Sequence, residues 1–179
     1  MRKKLLFCLL LLTAACSESD SLMQEHAKTY TDSELFSLAR AGDFTFYKNN
    51  PDTLPFTVGG GGHGGFIRVK FNPIASAVLT DSGKLPLNST FPNGSLVVKE
   101  IYNNSGDSLV FLAVMLKNSA ATNAAQNWVW GEYYADGRVL WPVNRGADCV
   151  PCHSLTKTTS NVPGDFGHRD FVRTFGLRP

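Results

Sequence analysis

The stretch "SLVVKEIYNNSGDSLVFLAVML", residues 95–116, holds two apolar runs separated by a polar, turn-forming segment. Residues 95–102 are rich in β-branched side chains and follow the turn sequence FPNG (91–94), so they read as a strand. Residues 108–116 form an unbroken apolar run between Asp107 and Lys117, the pattern of a central strand buried on both faces. Working outward, WVWGEYY (128–134) runs into ADGR, whose Asp-Gly pair predicts a hairpin toward VLWPV (139–143). FIRVKF (66–71) alternates, with Ile67, Val69 and Phe71 on one face and Arg68 and Lys70 on the other, and reads as a half-buried strand. In TDSELFSLARAG (31–42), Thr31 and Glu34 have capping-box spacing and Gly42 is a stop, so a helix is expected over 32–40. Asn72, Pro73 and Gly83 bracket a second short helix. The Pro- and Gly-punctuated NNPDTLPFTVGGGGHGG (49–65) reads as loop. The fold class is therefore mainly β (α+β), an antiparallel sheet with a few short peripheral helices.

The chain has 179 residues, enough for one domain with a core, and its 43% hydrophobic and 18% charged content is that of a globular protein. Its start, MRKKLLFCLLLLTAAC, has a basic head and an apolar run from Leu5 to Leu12, too short to span a bilayer, which takes about 20 apolar residues. Residues 1–15 read as a removed export signal. The small residues leading into Cys16 resemble the lipobox of bacterial lipoproteins, although Thr13 stands where Leu or Val is commoner. Cleavage after Ala14 or Ala15 without lipidation would leave Cys16 as an odd thiol, a liability in an exported protein. Lipidation at Cys16 is thus expected, with 16–30 as a polar tether and 31–179 as the functional domain. Ser17 after the cysteine implies, by the same resemblance, sorting to the outer membrane on its periplasmic side. Without Arg2, Lys3 and Lys4 the basic residues fall from 17 to 14, against 15 acidic ones. A near-neutral mature chain with no basic stripe excludes nucleic acid as a partner.

Cys149 and Cys152 then remain, in GADCVPCHSL (146–155). Cys-x-x-Cys-His is the attachment pattern of c-type haem. Two thiols from one tight turn can add across the two porphyrin vinyl groups, and the adjacent His153 can give its imidazole to the iron. A structural zinc site would want four ligands, and there is no second cysteine pair. A thioredoxin-like pair would want a βαβ setting. A Cys149–Cys152 disulfide would close a very small, strained loop. Only 26 residues follow His153 (179 − 153), without a Met among them, unlike small helical cytochromes c. The long amphipathic helices of four-helix cytochromes are missing as well.

From about Gly62 to Phe175 the chain resembles the cytochrome P-460 family, which includes the cytochromes c′-beta. The resemblance rests on GGHGGFIRVKFN, FPNGSLVVKEI, FLAVMLKN, NWVWGEYY, CVPCH and DFVRTF, in the family's order. It implies a mostly antiparallel sheet with one covalent haem c, usually in a homodimer, that binds small gases such as nitric oxide or oxidises hydroxylamine.

In the hydroxylamine-oxidising members a lysine of the VKE strand is bonded to the porphyrin, and Lys99 matches that position. Alternation puts Lys99 on the apolar face of Val97 and Ile101, where a bare ammonium is costly, unless its stem packs and its charge reaches out. Those members also carry a carboxylate four residues before the Lys of FLAVMLKN. That position is Ala113 here, with no acid anywhere from Leu109 to Leu116, which favours an apolar distal side. Phe91 is a candidate to line that pocket, with a plain core role as the alternative. His63 matches a motif histidine and suits a structural or haem-edge role. His168 suits the surface or a haem propionate, and Arg169 and Arg173 either solvent or propionates. Met115 fits the core, and Trp128 and Trp130 share one face and pack. The expected protein is an exported, lipid-anchored monohaem c-type cytochrome that takes NO or CO at His153-ligated iron or passes electrons to a redox partner. The alternative is a P-460-like oxidoreductase acting on hydroxylamine or a related nitrogen compound.

Overall fold

The computed structural model describes residues 27–55, 65–154 and 169–174; the export signal, Cys16, His63 and His168 lie outside them. The described elements are α1 (Asp32–Arg40), β1 (Thr45–Phe46), β2 (Leu54–Pro55), β3 (Phe66–Phe71), α2 (Pro73–Ser76), β4 (Leu96–Tyr102), β5 (Leu109–Lys117), β6 (Trp128–Tyr134), β7 (Val139–Trp141) and α3 (Val150–His153). The seven strands form one antiparallel sheet in the order β1-β3-β4-β5-β6-β7, with β2 also on β3. The mainly-β expectation is met.

Side chains alternate across such a sheet, and the two faces are covered differently. On one, Leu96, Val98, Leu112, Val114, Leu116, Val129 and Tyr133 pack under Leu35 and Ala39 of α1. The helix forms where its cap chemistry predicts: Glu34 N–H donates to the Thr31 hydroxyl, and the Glu34 carboxylate accepts from Thr31 N–H at 2.8 Å. On the opposite face, Ile67, Val69, Phe71, Val97, Ile101, Met115, Trp128 and Trp130 meet Phe91 and Val172.

Four details differ from the sequence reading. Leu54–Pro55, read as loop, pairs with Phe66 and Ile67 at the sheet edge, where proline's missing N–H is tolerated. The second helix ends by Ser76, well short of Gly83, because the chain turns into a Thr80–Lys84 bridge. β5 is central, yet Val110 is exposed, and Phe111 and Ala113 are only partly covered; its continuous burial is confined to Val114–Lys117. Residues 28–30, read as the end of the tether, are bonded to the loop at 118–123.

Thr31→Ala removes the α1 cap on the face away from Cys149 and His153. It should cost about 1 kcal/mol of stability in a denaturant titration and leave the visible absorption spectrum unchanged.

Candidate functional site

After β7 the chain turns through a 3₁₀ segment, Val143–Asp148, laid against β6. Gly146 makes the approach possible, since a Cβ there would stand 2.7 Å from Cδ1 of Trp130. Cys149 then caps the single turn of α3, with His153 N–H donating to its carbonyl at 3.2 Å. Positions three and four apart share one side of a helix, so Cys149, Cys152 and His153 are presented together. Both cysteines are free thiols, Cys149 partly buried and Cys152 exposed.

His153 is held from two directions. Its Nδ1 lies 2.8 Å from the Phe171 carbonyl oxygen, and its ring stands edge-on to Trp130 with centroids 4.8 Å apart. A carbonyl can only accept, so Nδ1 carries the proton and Nε2 keeps its lone pair. Crowding by protein pushes the His153 pKa down to about 4, the Phe171 bond partly opposing it and the charges of Arg173 and Lys99 adding to it. The ring is neutral at pH 7, as a metal-binding imidazole must be.

Burial, followed by the charges of Glu132, Asp148 and Cys152, raises the Cys149 thiol to about 11. Redox-active and zinc-binding cysteines are tuned in the opposite direction. Among the described residues no group of three or more His, Cys, Asp or Glu side chains converges to hold a metal ion. A protonated Cys149 thiol beside a neutral imidazole whose Nε2 keeps its lone pair fits haem, where the cysteines would reach the porphyrin edge and the imidazole the iron.

Register sets what faces this turn. Val69 pairs with Lys99, Lys99 with Ala113, Ala113 with Glu132, and Glu132 with Trp141, so Lys99 and Glu132 flank the small Ala113 in one row. Lys99 does share its face with Val97 and Ile101. Burial, then the charge of Arg173, lowers its pKa to about 7, against the pull of Glu132. Burial raises Glu132, and Lys99 opposes that rise. Glu132 is the residue that strand-by-strand reading missed. The β5 strand supplies no acid, but the neighbouring strand places one directly across from Ala113. Alternation through Trp128, Trp130 and Glu132 was the available signal.

Of the other candidates, Trp130 and Arg173 reach the turn itself. Phe91 is buried edge-on against Trp128, centroids 5.6 Å apart. Met115 and both tryptophans are core, with the Trp130 indole N–H donating to the Ala125 carbonyl at 3.0 Å. Arg169 donates to the Leu85 carbonyl, and Arg173 to that of Cys152 at 3.3 Å.

A family model, Cytochrome P460, matches residues 57–172, which is more than half of the chain. The chain belongs to the cytochrome P460 family. It is therefore a haem-binding, c-type cytochrome chain, in agreement with the donor set just described. No curated protein matches it.

Two outcomes follow for this chain. Gly146→Ala forces the 3₁₀ segment off Trp130 and should cost about 1–3 kcal/mol, read by denaturant titration. Lys99 has a folded pKa of about 7 against an ordinary 10.5, so between those values the unfolded chain binds more protons and stability rises with pH. Lys99→Met should therefore stabilise the protein at pH 6, within the ordinary range of about 1–3 kcal/mol, and the gain should shrink by pH 10 in thermal melts.

Proposed function

We propose that this chain is an exported monohaem c-type cytochrome that binds small gases such as NO and CO and transfers electrons. The observation that carries this reading is the neutral His153, with Nδ1 donating to the Phe171 carbonyl and Nε2 keeping its lone pair, one residue from Cys152 on a single helical turn. Cys149 and Cys152 would hold the haem through two thioether bonds, and His153 Nε2 would bind its iron. Bound haem supplies a redox-active iron able to take a diatomic ligand. Val97, Ile101, Ala113 and Met115 make much of the adjoining face apolar, a surface that suits a small uncharged ligand. The N-terminal reading adds a lipid anchor at Cys16 and the periplasmic side of the outer membrane as location, and the family resemblance adds a homodimer as the working form.

One observation favours a second reading, oxidation of hydroxylamine or a related nitrogen compound. Lys99, with its amine brought near neutrality, and Glu132, a carboxylate able to move protons, both stand on the site face. The absorption spectrum of the ferrous protein, before and after carbon monoxide, separates the two. An ordinary high-spin c-type spectrum that shifts with carbon monoxide is expected. A strongly red-shifted Soret band would mean a Lys99-linked porphyrin and would put the oxidase reading first. Replacing both Cys149 and Cys152 should release the haem on denaturation, as read by haem staining of a gel.

A further inference from the structure

The segment 169–174 does more than cover the core. Its residue Asp170 is 6% exposed and Lys117 is 5% exposed, yet both are ionisable. Lys117 Nζ lies 2.7 Å from Asp170 Oδ1, and the Trp128 indole N–H donates to the same oxygen at 3.2 Å. The backbone N–H of Phe91 donates to Oδ2 at 2.8 Å. The Lys117 ammonium also lies 5.0 Å from the centre of the Trp128 ring. A buried ion pair is weak evidence for stability, because well-packed apolar residues often do as well. Its geometry is more informative, since these three donors all fix one short turn.

That turn is strained. Asp170 has φ 52° and Phe171 φ 67°, and Val172 N–H closes it onto the Arg169 carbonyl at 3.2 Å. Two consecutive positive φ values belong to a primed turn, which favours Gly, Asn or Asp. For a bulky phenylalanine the conformation is an outlier that persists only when its surroundings over-determine it. The Asp170 carboxylate supplies that determination from β5, β6 and the Phe91 turn together. The outcome of the conformation is the direction of the Phe171 carbonyl, which meets His153 Nδ1 at 2.8 Å.

We propose that Asp170, clasped by Lys117, Trp128 and the Phe91 amide, is a positioning residue for the iron ligand: it holds the Phe171 carbonyl that fixes the tautomer and basicity of His153. The inference rests on the reading of His153 as the haem-iron ligand. Hydrogen bonding to the far nitrogen of a ligating imidazole raises its basicity, and a more basic ligand favours the oxidised metal. Loosening the clasp weakens that bond and shifts the reduction potential upward.

The test uses the haem-loaded full chain, with Asp170→Asn compared with the parent. The expected result is a rise in haem reduction potential with a fall in the iron–histidine stretching frequency of the ferrous protein by resonance Raman. A lowered melting temperature with potential and stretching band unchanged would show a merely structural clasp and overturn the proposal. If Asp170→Asn does not accumulate with haem, Trp128→Phe decides, since it removes one of the three donors. The same two shifts at smaller size support the role, and unchanged values overturn it. Parent protein lacking any haem spectrum would instead refute the underlying reading of His153, and this inference with it.

Discussion

The two-residue alternation of β3 to β6 is the constraint on which this structure depends. A strand has only two faces, and registers running unbroken from Val69 through Lys99 and Ala113 to Glu132 commit every side chain to one of them. One face is covered by α1, whose capping box starts it at Asp32, together with Ala121 and Val143. The other receives the single turn carrying Cys149, Cys152 and His153, together with the segment around Asp170. A slip of one residue would exchange the faces and send Lys99 and Glu132 beneath α1.

Electrostatics on that second face run in one direction. Burial lowers Lys99 to about 7 and His153 to about 4, raises Cys149 to about 11 and raises Glu132. Each of the four groups is moved toward its uncharged form, which is what weak solvation does to acids and bases alike. Such a surface suits a neutral imidazole donor, a Cys149 thiol that has kept its proton and a small uncharged ligand. It suits a thiolate metal cage poorly.

Local chemistry was legible in the sequence and non-local chemistry was not. The α1 cap, the alternation of FIRVKF, the strands at 95–102, 108–116 and 128–134, and the Cys-x-x-Cys-His turn are all written within a few residues. β1 and β2 are two residues each and borrow their identity from β3, so no local pattern marks them. The Ala113 position was read within its own strand, where no acid exists, while Glu132 reaches the same spot through a register that only pairing reveals. Asp170 is equally remote from its partners, 53 residues from Lys117 and 79 from Phe91. Nothing in the neighbourhood of RDFV announces that its turn aims a carbonyl at His153.

A haem held by the sheet on the turn at 149–153 is what the proposed function requires. Proteolysis of the purified protein followed by tandem mass spectrometry tests it most directly. One haem is expected on the peptide spanning Cys149 and Cys152, joined through both sulfurs. Recovery of that peptide with both thiols free and no haem, or of haem joined to the chain elsewhere without these cysteines, would contradict it.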